Sequence, residues 1–150
     1  MGNRLSLWMA LAVVFFSGLV AGFIMRAVGA ALLSGTLVAG GGILTPSFAP
    51  GHVLTALALY GLASIAVTAG LVKLGVAAVS TFEIGYGRAL AAGLASGLLS
   101  LVPLLVILSR PAQPGTLIGL GLLSLPLSLA ALLLHAWLVA SLAEHRPAQI

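Results

Sequence analysis

The chain contains no cysteine and no aspartate, and its only acidic side chains are Glu83 and Glu144. Without cysteine there are no disulfides, thiolate metal sites or thiol nucleophiles. Without aspartate a Ser-His-Asp triad is excluded, although a glutamate can replace the aspartate in such triads. Closely spaced carboxylates, HExxH and phosphate-binding loops are also missing. We therefore expect no catalytic activity from the chain by itself.

Charge of either sign is scarce, because only 5% of the 150 residues are charged and 61% are hydrophobic. A soluble domain has about 25% charged residues, and a small globule with so few could not solvate its surface. The mean hydropathy of +1.28 is typical of a chain in a bilayer. The apolar runs are continuous and rich in leucine and alanine, which favours helices over the alternating segments of a β-barrel. The predicted fold class is an all-α integral membrane protein.

Four apolar runs reach the length of about 20 residues that a helix needs to cross the hydrocarbon core. The predicted spans are 5–25, 52–72, 89–109 and 116–143, within a single membrane domain 1–150. The uncharged, glycine-rich segment 34–51 is predicted to be an outer loop, with a re-entrant segment or a fifth span as alternatives. The proline-broken connection 110–115 predicts an antiparallel hairpin of the third and fourth spans.

The basic residues are scattered along the chain instead of clustered, which argues against nucleic-acid binding. If the N-terminus lies inside, four of them lie on the inner side and two, Arg26 and Arg110, on the outer side. The positive-inside rule therefore predicts an N-in/C-in orientation, with Trp8 and Trp137 near the inner interface. The inner four are Arg4, Lys73, Arg88 and Arg146.

Small residues recur at helical spacing within the predicted spans. They let helix backbones approach closely in lipid. Their spacing favours packing between helices of the same chain, with a dimer motif as the alternative. The predicted packing residues are Gly18, Gly22, Gly93, Gly97, Ser100, Gly121 and Ser124.

His135 is the strongest single functional candidate, because an ionisable residue inside a span is expensive. The interpretation that we favour is nevertheless a neutral, hydrogen-bonded histidine near the interface. Tyr60 begins a stripe with Ser64 and Thr68 at intervals of four, which we expect to face protein, as packing contacts or along a polar pathway. His52 and His135 are separated by roughly 20 Å or more of helix rise, so we predict no metal site and no bound cofactor.

The other candidate functional or partner contacts are Glu83, Arg88, Pro103 and Pro126. The alternating pattern of 81–88 predicts a short extended or interfacial segment, with Glu83 paired to Lys73 or Arg88. If Glu83 instead dips into the membrane, it becomes a proton or cation site. The two prolines lie at similar depth and predict either packed kinks or broken helices that frame a substrate site.

Three functions remain open after these exclusions. The leading hypothesis is a non-catalytic accessory or scaffold subunit of a larger membrane complex, with the bilayer and other membrane subunits as its partners. The first alternative is a small oligomeric transporter or channel component, and the second is a haem- or pigment-associated electron-transfer subunit. The low lysine content and the abundance of alanine, glycine, leucine and arginine are typical of a GC-rich bacterial genome, so the expected location is a bacterial inner membrane.

Overall fold

The computed structural model describes residues 4–39, 50–100, 102 and 114–145. These residues are mostly helical, as predicted. Three of the helices contain stretches long and apolar enough to cross a membrane, namely Leu7–Gly29, Ala58–Val79 and Leu122–Leu142. The elements in chain order are α1 (Leu7–Ala39), α2 (Pro50–Val79), β1 (Phe82–Glu83), α3 (Tyr86–Ser100), α4 (Pro114–Leu142) and β2 (Glu144–His145).

The four helices form a ring in which each packs on its neighbours in sequence and α1 closes against α4. Among the described residues there are no contacts across either diagonal. Gly75, late in α2, meets Val13, early in α1, so these two helices are antiparallel. Gly93 in α3 similarly faces Ile65 in α2 and His135 in α4. The four helices described here therefore form an up-and-down bundle.

Small side chains fill the bundle and large ones cover it. The buried face of α1 includes Ala10, Val13 and Ala21, spaced as one helical stripe, whereas Trp8 and Phe23 on the same helix are among the most exposed side chains. Alanine and valine also dominate the buried residues of the other helices. Small interior residues with a large apolar exterior are typical of helices whose outer face contacts lipid.

One end of the bundle is closed by a short two-stranded sheet, and we call this region the capped end. Strands β1 and β2 pair antiparallel, with Phe82 opposite His145 and Glu83 opposite Glu144. The Phe82 ring stacks on the His145 ring with their centroids 4.4 Å apart. Beneath them Leu5 and Ile84 join the hydrophobic core. The sheet thus ties the α2–α3 connection to the segment after α4, at the end where the N-terminal Leu5 also lies.

The charges of the capped end pair differently from the sequence-based prediction. The segment is extended at Phe82–Glu83, as expected, but Arg88 forms its ion pair with Glu144. Among the described residues Glu83 has no ion pair. The strand pairing explains the difference, because it brings Glu144, which is remote in sequence, close to the start of α3.

Helix boundaries also differ from the prediction. Helix α1 passes through Arg26 and continues to Ala39, so the part 34–39 of the predicted outer loop is helical. Helix α2 already begins at Pro50. A glycine costs a helix only about 1 kcal/mol relative to alanine, so Gly35 does not end α1. The remainder of that loop, 40–49, lies outside the described residues, as do Pro103 and 110–113.

Gly18 and Gly22 do not serve the intramolecular packing that was predicted for them. Both lie on the exposed side of α1, and a Cβ atom added at either position would meet nothing within 4 Å. The buried stripe of α1 runs instead through Val14, Ser17 and Ala21. Spacing alone could not distinguish these two faces, because both carry small residues four apart.

Candidate functional site

A cavity of about 210 Å³ lies between α2, α3 and α4. His135 is seven residues before the end of α4, and Gly93 is seven residues after the start of α3. At 1.5 Å rise per residue the cavity is therefore roughly 10 Å from the helix ends at the capped end. Its walls are formed by Ser64, Ile65, Thr68, Gly93, Ser96, Gly97, Ala131, Leu132 and His135.

The glycines of α3 allow this helix to approach α2 closely at the cavity. A Cβ atom at Gly93 would lie 3.0 Å from Ile65 Cγ2 and 3.9 Å from His135 Cε1. A Cβ atom at Gly97 would lie 3.3 Å from Ile65 Cδ1. Because Gly93 and Gly97 are one turn apart, they form one bare strip of backbone along the cavity wall. Larger side chains at these positions would occupy the space that the cavity provides.

His135 is buried, with 8% of its surface exposed, and its Nε2 atom has no hydrogen-bond partner in the described structure. This differs from the expectation of a hydrogen-bonded histidine. A buried polar atom without a partner costs about 1–3 kcal/mol. Most buried polar atoms in folded proteins are paired, so each exception needs an explanation. A bound molecule that completes this hydrogen bond is one such explanation.

The hydroxyl groups at the cavity are partly occupied by the backbone. Thr68 Oγ1 donates to the carbonyl oxygen of Ser64 at 2.8 Å, and Ser96 Oγ donates to the carbonyl oxygen of Gly93 at 3.1 Å. A carbonyl oxygen can only accept, so each of these hydroxyl protons is committed. The lone pairs of the two hydroxyl oxygens remain as acceptors.

The structure brings together only some of the residues that the sequence singled out. Ser64 and Thr68 line the cavity with His135, but Tyr60, the first member of their stripe, is 45% exposed and lies outside it. Within this chain Tyr60 is therefore not packed as Ser64 and Thr68 are, and the expectation that it contacts protein stays a prediction. Glu83 and Arg88 lie at the capped end, away from the cavity.

The proline candidate that the structure describes, Pro126, does not frame this cavity. Pro126 is an exposed residue within α4, more than two turns before His135, and is absent from the lining. Pro103 lies outside the described residues. Ser100 and Gly121 belong to α3 and α4, and Ser124 is half-buried in α4.

Ser96 is the cavity residue that sequence reasoning missed as a functional candidate. The feature of the sequence that could have identified Ser96 is its position three residues after Gly93, one helical turn along the same face. The folded bundle identifies Ser96 as a candidate, because α4 places His135 opposite that face of α3.

Metal binding has no support among the described residues, where no group of three histidine, cysteine, aspartate or glutamate side chains could hold an ion. No protein-family model, curated protein or solved structure matches the chain.

Proposed function

We propose that this protein is a small transporter or channel component that binds a small solute in the cavity between α2, α3 and α4. The observation that carries this proposal is His135, which lines an open cavity and has a buried Nε2 atom without a hydrogen-bond partner in the described structure. Buried polar groups that are only partly satisfied reduce stability. Local rules of packing are broken mainly where function requires it.

The proposal includes four spans with both termini on the inner side of a bacterial inner membrane. Three described stretches have the required length and hydropathy. Helix α3 is followed in sequence by the further apolar run 101–109, and the two stretches together have the number of residues that a full span needs. The capped end carries Arg88 and adjoins the N-terminal Leu5, which supports placing this end on the side favoured by the basic residues.

Solute permeation in proteoliposomes tests this function. Stopped-flow light scattering would measure the uptake of urea and of glycerol, which both cross pure lipid slowly. We expect uptake of at least one to exceed that of empty vesicles. The Ala131→Leu variant, which fills the cavity, should return to the empty-vesicle rate. The Ala130→Leu variant adds the same volume on the exposed side of α4 and should keep the activity.

Two results would overturn the transport proposal. One is equal permeation through vesicles with and without the protein, for both solutes. The other is increased permeation that Ala131→Leu and Ala130→Leu affect equally, because the route would then lie outside the cavity.

A second candidate, the accessory subunit of a larger membrane complex, is supported by Gly18 and Gly22. Their outward position on α1 leaves a shallow notch that a helix of another subunit could approach closely. Gentle extraction from native membranes followed by native mass spectrometry tests this candidate. We expect larger subunits in a fixed ratio, lost in Gly22→Leu and kept in Ala12→Leu, which changes another exposed residue of α1. Isolation of the chain alone in every sample would exclude it.

A further inference from the structure

We infer that the ligand of this cavity is a small uncharged molecule with a compact hydrocarbon body and at least one hydrogen-bond donor group, such as a hydroxyl, a class that includes glycerol. The inference concerns the same cavity as the proposed function and rests on it for the existence of a ligand. It assigns the chemistry of that ligand from three properties of the cavity wall.

The first property is a surplus of acceptors. The hydroxyl protons of Thr68 and Ser96 are committed to the carbonyl oxygens of Ser64 and Gly93, so these side chains present lone pairs. His135 lines the same cavity, and its buried Nε2 adds a third acceptor when the ring proton is on Nδ1 and the ring turns this atom toward the ligand. A ligand that donates a hydrogen bond can be held without disturbing either backbone bond. A ligand that only accepts hydrogen bonds would leave these acceptors unpaired, and among the described hydroxyls of the lining only that of Ser64 could donate to it without breaking a backbone bond.

The second property is the lack of formal charge around the cavity. No aspartate, glutamate, lysine or arginine lines it. The charged residues Glu83, Arg88 and Glu144 are at the capped end, and Lys73 lies on the exposed surface of α2. An isolated ion in an apolar setting is strongly disfavoured unless a counter-charge accompanies it. The cavity therefore suits a neutral molecule better than a cation or an anion.

The third property is the apolar remainder of the wall and its size. Ile65, Ala131 and Leu132 provide hydrocarbon surface beside the bare backbone of Gly93 and Gly97. An engineered protein cavity of about 150 Å³ with apolar walls holds benzene, so the 210 Å³ here can accommodate one aromatic ring or its aliphatic equivalent with a polar group. The polar atoms then select the donor group, and the walls hold the apolar body.

Histidine nitrogen NMR with matched probes tests the inference. In the His52→Gln, His145→Gln background His135 is the sole histidine, and its Nε2 shift reports both tautomer and acceptance of a hydrogen bond. Phenol, anisole and benzylammonium would be titrated into detergent-solubilised full-length protein. Phenol has a donor, anisole has the same ring without a donor, and benzylammonium carries charge.

We expect phenol to produce a saturable shift of an unprotonated Nε2. Anisole should bind at least tenfold more weakly, and benzylammonium should leave the signal unchanged. Ser96→Ala removes one acceptor and should weaken the binding of phenol about threefold to tenfold, which is the effect of losing one hydrogen bond. The matched control Ser141→Ala removes an exposed hydroxyl that donates to the carbonyl of Leu138 on the outside of α4, and it should bind phenol normally.

Equal affinity for phenol and anisole would overturn the inference, as would preferential binding of benzylammonium or a protonated Nε2 in the phenol complex. If phenol shifts the Nε2 signal equally in Ala131→Leu and in Ala130→Leu, phenol binds outside the cavity. That result would also overturn the inference. Failure of the transport proposal is a separate result. Selective phenol binding without solute permeation leaves the ligand assignment standing, whereas permeation without donor selectivity leaves transport standing and removes the assignment.

Discussion

The capped end and the cavity lie roughly 10 Å apart along the same helices, yet they are packed in opposite ways. At the capped end the largest fully buried side chains of the described structure, such as Ile84 and Val139, close the bundle. At the cavity α3 presents Gly93 and Gly97, and the bundle leaves room beside His135. One bundle thus combines a closely packed region with a region that leaves a cavity, where one polar atom has no partner in the described structure.

This contrast separates stability from function. Close packing stabilises a membrane bundle through dispersion contacts between fitted side chains. The cavity gives up such contacts and buries a nitrogen without a partner, so it lowers stability locally. If the capped end supplies the stability that the cavity lacks, substitutions in the two regions should have opposite effects on unfolding.

The largest effect is expected for Ile84→Ala at the capped end. Ile84 is 1% exposed, and truncation of such a side chain typically costs about 2–5 kcal/mol. Thermal unfolding followed by circular dichroism in a mild detergent would measure this loss. The control Leu74→Ala truncates a side chain on the exposed surface of α2 and should change stability little. Similar losses for both variants would show that the capped end is not the better-packed region.

The next effect is expected for Gly75→Ala, where α1 and α2 meet. The new Cβ would lie 2.8 Å from Cγ1 of Val13, a buried β-branched side chain with little freedom to move away. Overpacking of this kind costs about 1–3 kcal/mol. In Gly61→Ala, on the same helix, the Cβ meets nothing within 4 Å, so the helix should gain up to about 1 kcal/mol. Unfolding in guanidinium chloride would compare the stability of the two variants. Equal shifts of the unfolding midpoint would contradict the close approach of Gly75 to Val13.

At the cavity the sign should reverse. His135→Leu replaces a buried side chain that has an unpaired nitrogen by an apolar one, which should stabilise the protein without ligand by about 1–3 kcal/mol. The same variant should lose phenol binding. Differential scanning fluorimetry would measure the first effect, with His145→Leu at the exposed sheet as the control. A loss of stability in His135→Leu would mean that Nε2 is satisfied in solution.

The smallest effect is expected for the Arg88–Glu144 ion pair. Both side chains are at least half exposed, so the pair should contribute at most about 1 kcal/mol and weaken with salt. A double-mutant cycle of Arg88→Ala and Glu144→Ala would measure the coupling free energy. Glu83→Gln is the matched control, since Glu83 has no ion pair in the described structure. Greater coupling of Arg88 to Glu83 than to Glu144 would contradict the strand register.

The helical class and the approximate positions of the apolar runs were predictable, because they depend on composition and run length. The extended segment near Phe82 was predictable from its alternation. Its pairing with Glu144–His145 was not, since the two segments are more than 60 positions apart and nothing local requires them to meet. The partner of Arg88 was missed for the same reason.

The site was partly predictable. His135 was identifiable because an ionisable residue is rare in an apolar run, and Ser64 and Thr68 because they recur on one helical face. Tyr60 belongs to that same periodic series, but it is exposed in the folded bundle. Periodicity identifies a face of a helix and not how far along that face a neighbouring helix covers it.

By itself the sequence determined that the chain is helical and apolar, with few groups capable of chemistry, because these properties follow from residue types and their spacing along one chain. Only the tertiary structure decided which small residues face inward and which charge Arg88 pairs with. It also placed His135 beside Ser64, Thr68 and Ser96, with no partner for its Nε2 atom among the described residues. Those facts depend on the rotation and relative height of three helices. These are set by side-chain packing between residues far apart in sequence.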